Sequence, residues 1–142
     1  MKIKRCVSGD AAAVAKIERD CIECPWSEKE IENCIRSDDY AFFKASSDGE
    51  TLGYIGVQIV APEFNVCNVA VIESARRRGV ATALVGEVVR FALEKGGGTL
   101  YLEVNEFNVG AIALYEKLGF VVYGRRPRYY GDAAAILMKK ET

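Results

Sequence analysis

The sequence predicts an α/β (α+β) domain built on a central, twisted, mixed but mostly antiparallel sheet of about seven strands flanked by about four helices. Three observations predict it. Hydrophobic periodicity switches between two and 3.6 along the chain in the order βααβββαβαββ. A strand, a helix and a strand across residues 66–104 make a natural right-handed parallel unit. Asp48-Gly49, a strong two-residue turn signal, joins two apolar runs as an antiparallel hairpin.

Each element follows from its residues. Residues 2–7 alternate polar and apolar and read as the first strand. Ser8-Gly9-Asp10 can cap a helix whose apolar stripe runs through Ala13, Val14, Ile17 and Cys21 or Ile22. Pro25 interrupts, and Ser27-Glu28-Lys29-Glu30 restarts a helix with the S-x-x-E capping pattern, carrying Ile31, Cys34 and Ile35 on its apolar face. Strands follow near 41–46, 52–60 and 66–71. Residues 79–95 form a helix with Val80, Leu84, Val88 and Phe91 on one side, stopped by Gly96-Gly97-Gly98. Residues 99–104 give a strand, and 108–118 a helix ended by Gly119. Strands at 120–123 and 134–139 close the chain, joined by an Arg- and Tyr-rich loop. With no repeat and no linker, residues 1–142 read as one domain.

Composition narrows the chemistry. Half of the 142 residues are hydrophobic and 27% are charged, the profile of a globular protein able to bury about two-thirds of its unfolded surface. A net charge of −1 supplies no global field for nucleic acid or an anionic membrane, and neither is expected as a partner. No apolar stretch approaches the roughly 20 residues of a membrane span, and the N-terminus lacks a signal-peptide core. Five cysteines at irregular spacing suggest a reducing cytoplasm rather than a disulfide scaffold. Histidine is absent, which removes every imidazole mechanism.

One segment carries chemistry on its own. Arg76-Arg77-Arg78-Gly79-Val80-Ala81-Thr82 lies where a strand passes into a long helix. A helix start offers unpaired N–H groups and a positive dipole end, and Gly79 and Ala81 let a phosphate approach the backbone. Three arginines are out of place in a first turn that prefers acids, unless an anion binds there. The segment is neither a Walker loop nor a dinucleotide fingerprint. The plainer alternative is an ordinary helix start beside a solvated basic run. Gly96-Gly97-Gly98 follows a helix and reads as its termination, not as a second cradle.

These residues resemble a known family. Arg76-x-x-Gly79-x-Ala81 looks like the Q/R-x-x-G-x-G/A motif of GNAT N-acetyltransferases, and the run from Asn108 to Phe120 looks like the family's later cofactor helix. Within the family the chain is most similar to the ribosomal-protein-alanine N-acetyltransferases, the RimI-like group, through Pro25-Trp26-Ser27, Leu102-Glu103-Val104 and Arg125-Arg126 with Tyr129-Tyr130. The resemblance covers nearly the whole chain. It implies a sheet splayed between the fourth and fifth strands, acetyl-CoA as co-substrate without a metal, and direct attack by an amine within a ternary complex. The amine it implies is a protein N-terminus, that of a ribosomal protein beginning with alanine. The chain departs from the family after Tyr130, where Gly131-Asp132 replaces a loop that is often longer and helps to shape the acceptor site. A small-molecule amine, or a non-catalytic acyl-CoA-binding module, therefore stay open as alternatives.

The resemblance also assigns roles. Glu103 alternates with Leu102 and Val104 in a strand expected to be largely buried, which would raise its pKa; the matching RimI-like position is the base. A solvent-facing glutamate at a splayed edge is the other reading. Tyr115 lies seven residues after Asn108, about 10.5 Å along one helix face, so Asn108 would contact the pantetheine while Tyr115 reaches the sulfur as acid. Otherwise Tyr115 is a core tyrosine beside Ile112 and Leu118. Backbone groups at Val69, Ala70 and Val71 would bind the cofactor, with the Val71 N–H at the developing oxyanion. Trp26 is a core plug that the resemblance also places at the acceptor entrance, and Tyr130 would hold the acceptor or face solvent with Arg125, Arg126, Arg128 and Tyr129. Cys21-x-x-Cys24 lacks a second pair and reads as buried structural thiols.

Overall fold

The computed structural model describes residues 1–22 and 24–142. Seven strands form one sheet in the order β1-β2-β3-β4-β5-β7-β6. They are β1 (Lys2–Arg5), β2 (Tyr40–Ser47), β3 (Glu50–Val60), β4 (Glu63–Val71), β5 (Thr99–Asn105), β6 (Val121–Tyr130) and β7 (Ala133–Glu141). The helices are α1 (Ala11–Cys21), α2 (Glu28–Arg36), α3 (Val80–Glu94) and α4 (Val109–Lys117). All neighbours pair antiparallel except β4 and β5. This is the mixed, mostly antiparallel sheet with four helices that the periodicity predicts.

Strand alternation divides the core between the two faces. Ala41, Phe43 and Ala45 of β2 join the cluster containing Leu84, Val88 and Phe91 of α3 and Tyr115 of α4. Phe42, between them in sequence, packs instead with Val14 and Ile17 of α1 and Ile31 of α2. Helices α3 and α4 therefore cover one face, and α1 and α2 the other.

Local chemistry sets the turns. Asp48 and Gly49 both take positive φ, at 51° and 80°, the two-residue geometry that suits the twist of β2 and β3. Ser27 and Glu30 form the expected capping box at α2, with bonds of 3.1 and 3.2 Å. Asp10 departs from its expected role. A 3₁₀ turn at Ser8–Asp10 precedes α1, and the carboxylate turns to the Val7 N–H at 2.8 Å and to Lys44 Nζ at 2.6 Å, pinning the turn to β2.

Helix α3 ends in a Schellman motif: Gly97 N–H donates to Ala92 C=O and Gly96 N–H to Leu93 C=O. The Arg- and Tyr-rich stretch is strand, not loop. β6 continues to Tyr130, which pairs with Ala133 across the Gly131-Asp132 turn, with register shifts at Val122/Gly124 and Arg126/Tyr130. Pairing with β7 supplies the backbone partners that a loop would lack, and the irregular register absorbs Pro127 and the left-handed Arg128 (φ 59°).

Candidate active site

The sheet parts between β4 and β5. Their parallel pairing covers only Glu63↔Thr99, Phe64↔Leu100 and Asn65↔Tyr101, although both strands run on. Just past the last pair, β4 carries a bulge: the register passes from Val57↔Val66 to Gly56↔Asn68 and leaves Cys67 unmatched. A bulge kinks and twists a strand, which turns β4 away from its neighbour.

Beyond the parting, one edge of β4 is open. Ile72 N–H donates to Leu52 C=O at 2.9 Å, so Ile72 faces β3. Backbone groups alternate along a strand, so the N–H groups of Val71 and Val69 face the gap, and those of Ala70 face β3. The Val71 C=O agrees with this direction by accepting from Arg76 Nε at 3.1 Å across that edge.

A cleft passes through this gap in two joined lobes of about 720 and about 510 Å³. Glu103, Tyr130, Asn68 and Cys67 line both. The larger lobe holds Trp26, Glu63, Tyr101, Arg126 and Tyr129; the smaller holds Val69, Asn108 and Tyr115. β5 explains the division. Leu100, Leu102 and Val104 are buried in the cluster shared with α3 and α4, so Tyr101 and Glu103 point to the α1–α2 side. Glu103 and Tyr115 thus belong to opposite faces of the sheet, and both line the smaller lobe at its split.

Glu103 corrects one expectation: it is exposed to the cleft, not buried in the strand. The alternation that buries Leu102 and Val104 turns it outward. Arg126 Nη1 lies 3.5 Å from its carboxylate. The Tyr129 phenol, hydrogen-bonded to Glu103 and beside its charge, is held above its ordinary pKa. Burial and then the Glu103 charge push Tyr130 the same way.

Tyr115 is buried by its helix end. Gly119, at φ 97°, terminates α4 in a second Schellman motif, with Phe120 N–H donating to Tyr115 C=O at 2.9 Å and Gly119 N–H to Glu116 C=O at 3.0 Å. The hydrophobic contact that accompanies such a motif is the Tyr115–Phe120 ring pair, centroids 5.7 Å apart. Burial pushes the phenol pKa up to about 12. At the other end of α4, Asn108 Oδ1 caps the helix by accepting from Ala111 N–H at 3.2 Å, which leaves its amide N–H groups for the cleft.

The cradle is built as a helix start should be. Gly79 is the N-cap of α3 at φ 78°, and a Cβ there would meet nothing within 4 Å, so its outer side is open. Val80 is buried and anchors the turn, Ala81 is half-buried and Thr82 exposed. Arg77 also takes a left-handed φ of 64°, a conformation that costs an arginine of order 1 kcal/mol. Arg76 folds back onto Val71 C=O, with Nη2 3.7 Å from Cys21 Sγ, and ties the cradle to the open edge. All three arginines are exposed, which presents Arg77 and Arg78 to solvent at the helix start. An open strand edge leading to a helix start with outward N–H groups has the shape and polarity to take a long acyl carrier ending in a diphosphate. No group of three or more His, Cys, Asp or Glu side chains that could hold a metal occurs among the described residues.

The thiols of Cys21 and Cys24 are not the buried pair expected. Cys21 is half-buried, with Sγ 3.7 Å from Val71 C=O, and Cys24 is exposed and lines the cleft. Helix α1 ends at Cys21 and Ile22 is already extended, which leaves Cys24 outside the helix that would have buried it. Glu18, 1% exposed beneath the cleft, has no counterpart among the sequence expectations. Its signal was its place four residues after Val14 and one after Ile17, on the stripe that α1 buries.

Comparison with known proteins agrees with this geometry. The acetyltransferase (GNAT) family profile matches residues 11–120. The chain is 34% identical over 133 residues to the [ribosomal protein bS18]-alanine N-acetyltransferase of Escherichia coli (strain K12), covering 91% of this chain and 89% of that one. It is 30% identical over 141 residues to the N-alpha-acetyltransferase RimI of Mycobacterium tuberculosis, covering 94% and 87%. The crystal structure of the ribosomal-protein-S18-alanine N-acetyltransferase from Escherichia coli superposes with a TM-score of 0.90 at 31% identity, over 99% of this chain and 92% of that one. With the parted sheet, the open β4 edge and the glycine helix start in place, the chain belongs to the GNAT acetyltransferase family.

Proposed function

We propose that this protein transfers the acetyl group of acetyl-CoA to the N-terminal α-amine of a protein, in the first instance a ribosomal protein beginning with alanine, in the cytoplasm. The observation that carries the reading is the through-cleft, which joins Glu103 on one face of the sheet to Tyr115 on the other. The 34% identical relative, named for an alanine N-terminus, supports the choice of acceptor.

Acetyl-CoA would supply a thioester carbonyl at the parting of β4 and β5. The N–H groups of Gly79, Val80, Ala81 and Thr82, with Arg77 and Arg78, hold the diphosphate at the start of α3. Val69 N–H and the Asn108 amide orient the arm, and Val71 N–H stabilises charge on the carbonyl oxygen. From the larger lobe, Trp26 and Tyr130 hold the acceptor. An α-amine titrates near 7.7–8.0, so about a tenth is neutral at pH 7, whereas a lysine near 10.4 is far less available. A base of modest strength therefore suffices, and the Glu103 carboxylate takes the amine proton directly or through one water. Tyr115 is protonated throughout the physiological range because of its burial, and its hydroxyl donates a hydrogen bond to the departing sulfur, whose charge is then neutralised by a proton from solvent as CoA leaves.

The experiment is incubation with acetyl-CoA and a panel of peptides, polyamines and aminoglycosides, read by mass. Acetylation at the α-amine of alanine-starting peptides is the expected result. Turnover of small amines alone would replace the acceptor, and binding of CoA without turnover of anything would leave a non-catalytic module.

A further inference from the structure

One buried charge plays no part in that chemistry. Glu18, in the last full turn of α1, is 1% exposed, and no salt bridge reaches it among the described residues. Burying a carboxylate costs several kcal/mol, and a well-packed apolar side chain in its place is commonly no less stable. Its presence calls for an account other than stability.

The carboxylate accepts from three elements at once. Trp26 N–H, from the segment between α1 and α2, donates to Oε2. Tyr54 O–H of β3 donates to Oε1 at 2.6 Å, and Asn68 Nδ2 of β4 to the same oxygen at 2.9 Å. Tyr54 is a rigid post: it is wholly buried and stacked on Phe42 at an interplanar angle of 6°. The other two donors both line the larger lobe, Trp26 from the inter-helix segment and Asn68 from the sheet. Asn68 stands beside the bulged Cys67, where β4 turns away from β5. Trp26 precedes the capping box that starts α2. One carboxylate therefore ties the inter-helix wall of the lobe to its sheet wall at the point where the sheet opens.

We propose that Glu18 is a positioning residue for the acceptor: acting through Trp26 and Asn68, it fixes the separation of the two walls of the larger lobe, and with it the affinity for the amine-bearing substrate. Glu18 itself lines neither lobe of the cleft. The link to acceptor affinity rests on the proposed acetyl transfer; the link between Glu18 and the lobe walls does not.

Trp26 is the only tryptophan of the chain, so its fluorescence reports on one wall directly. Two variants test the tie. Glu18→Leu, similar in size, removes both acceptor oxygens, so Trp26 N–H and Asn68 lose their shared partner together. Asn68→Ala leaves Glu18 in place and releases only the sheet wall from a half-buried position, so it carries the test if the first variant folds poorly. In both, Trp26 emission shifts to the red and acrylamide quenching rises. In the Glu18 variant the KM for an alanine-starting hexapeptide increases at least about fivefold, while kcat and the calorimetric Kd for CoA stay within about twofold; Asn68, which lines both lobes, is read by Trp26 fluorescence alone. Unchanged Trp26 emission and quenching in both variants overturns the proposal. So does a parallel decline of kcat, CoA affinity and Tm, the pattern of a merely structural residue. If the parent protein acetylates no peptide, the proposed acceptor fails, and the fluorescence still decides whether Glu18 holds the wall.

Discussion

Replacing Tyr115 with phenylalanine removes one oxygen and isolates the proposed hydrogen-bond donor. The tyrosine is 7% exposed and its ring packs edge-on against Phe120, a contact that the substituted ring would keep, so the Schellman end of α4 should survive. Loss of one hydroxyl that bridges no other element costs stability only about 1 kcal/mol. The catalytic cost is larger. Burial raises the phenol pKa from 10.0 to about 12. A rise of that size corresponds to roughly 3 kcal/mol against the phenolate, so the donor proton is present at every workable assay pH. A phenol of pKa about 12 does not fully protonate a thiolate whose conjugate acid titrates near 8.5, so Tyr115 acts by donating a hydrogen bond to the departing sulfur, and a positioned donor of this kind contributes about 10²-fold. Tyr115→Phe should lower kcat by about 10²-fold, with CoA affinity by calorimetry nearly unchanged and Tm lowered by no more than about 4 °C. The assay is CoA release at saturating acetyl-CoA and peptide, from about pH 6 to about pH 10, a range that brackets the thiol. The parent should show no loss of rate on the alkaline side assignable to this phenol. Parental kcat in the variant would refute its role as donor, and a collapse of CoA affinity would make Tyr115 a binding residue instead.

Three further outcomes follow from other parts of the molecule. Glu103→Gln, at an exposed cleft position, should reduce kcat by about 10²-fold without altering CoA affinity or Tm; equal activity would remove it from the reaction. Gly98→Ala would set a Cβ 2.0 Å from the Pro62 carbonyl oxygen at φ 155°, where backbone must move, and should cost about 3 kcal/mol or more, read as a lower midpoint in urea. Stability should also fall in alkali. Burial first of all raises Cys6 from 9.0 to about 12, Cys67 from 9.0 to about 11 and Tyr115 from 10.0 to about 12. The native state therefore holds protons that the unfolded chain releases. Their contribution is complete below about pH 9 and is lost as pH rises through the folded values, by about 1.4 kcal/mol per pH unit for each such group. A Tm that stays flat from about pH 8.5 to about pH 11 would contradict this.

Much of the fold was legible because local signals and tertiary demands coincide. Asp48-Gly49, the Ser27–Glu30 box and the glycines after α3 and α4 each act within a few residues, and each is realised in its expected geometry. The Gly79 helix start was legible for the same reason. What sequence could not supply was the facing of β5. Its alternation shows that Glu103 differs from Leu102 and Val104 in direction, but which side is buried depends on where α3 and α4 pack. Glu18 was hidden because a carboxylate on an apolar stripe looks like a helix edge until Tyr54 and Asn68, 36 and 50 positions away, arrive as donors. The later half of β6 reads as loop because Pro127 and the arginines weaken its pattern, while pairing with β7 holds the strand.

Amide hydrogen exchange with and without CoA tests the central geometry most directly. With CoA bound, exchange should slow at least about tenfold at Val69 and Val71 and at Gly79 to Thr82, and at no other β4 amide beyond the parting. Protection confined to other regions, with these amides exchanging as in the free protein, would contradict it.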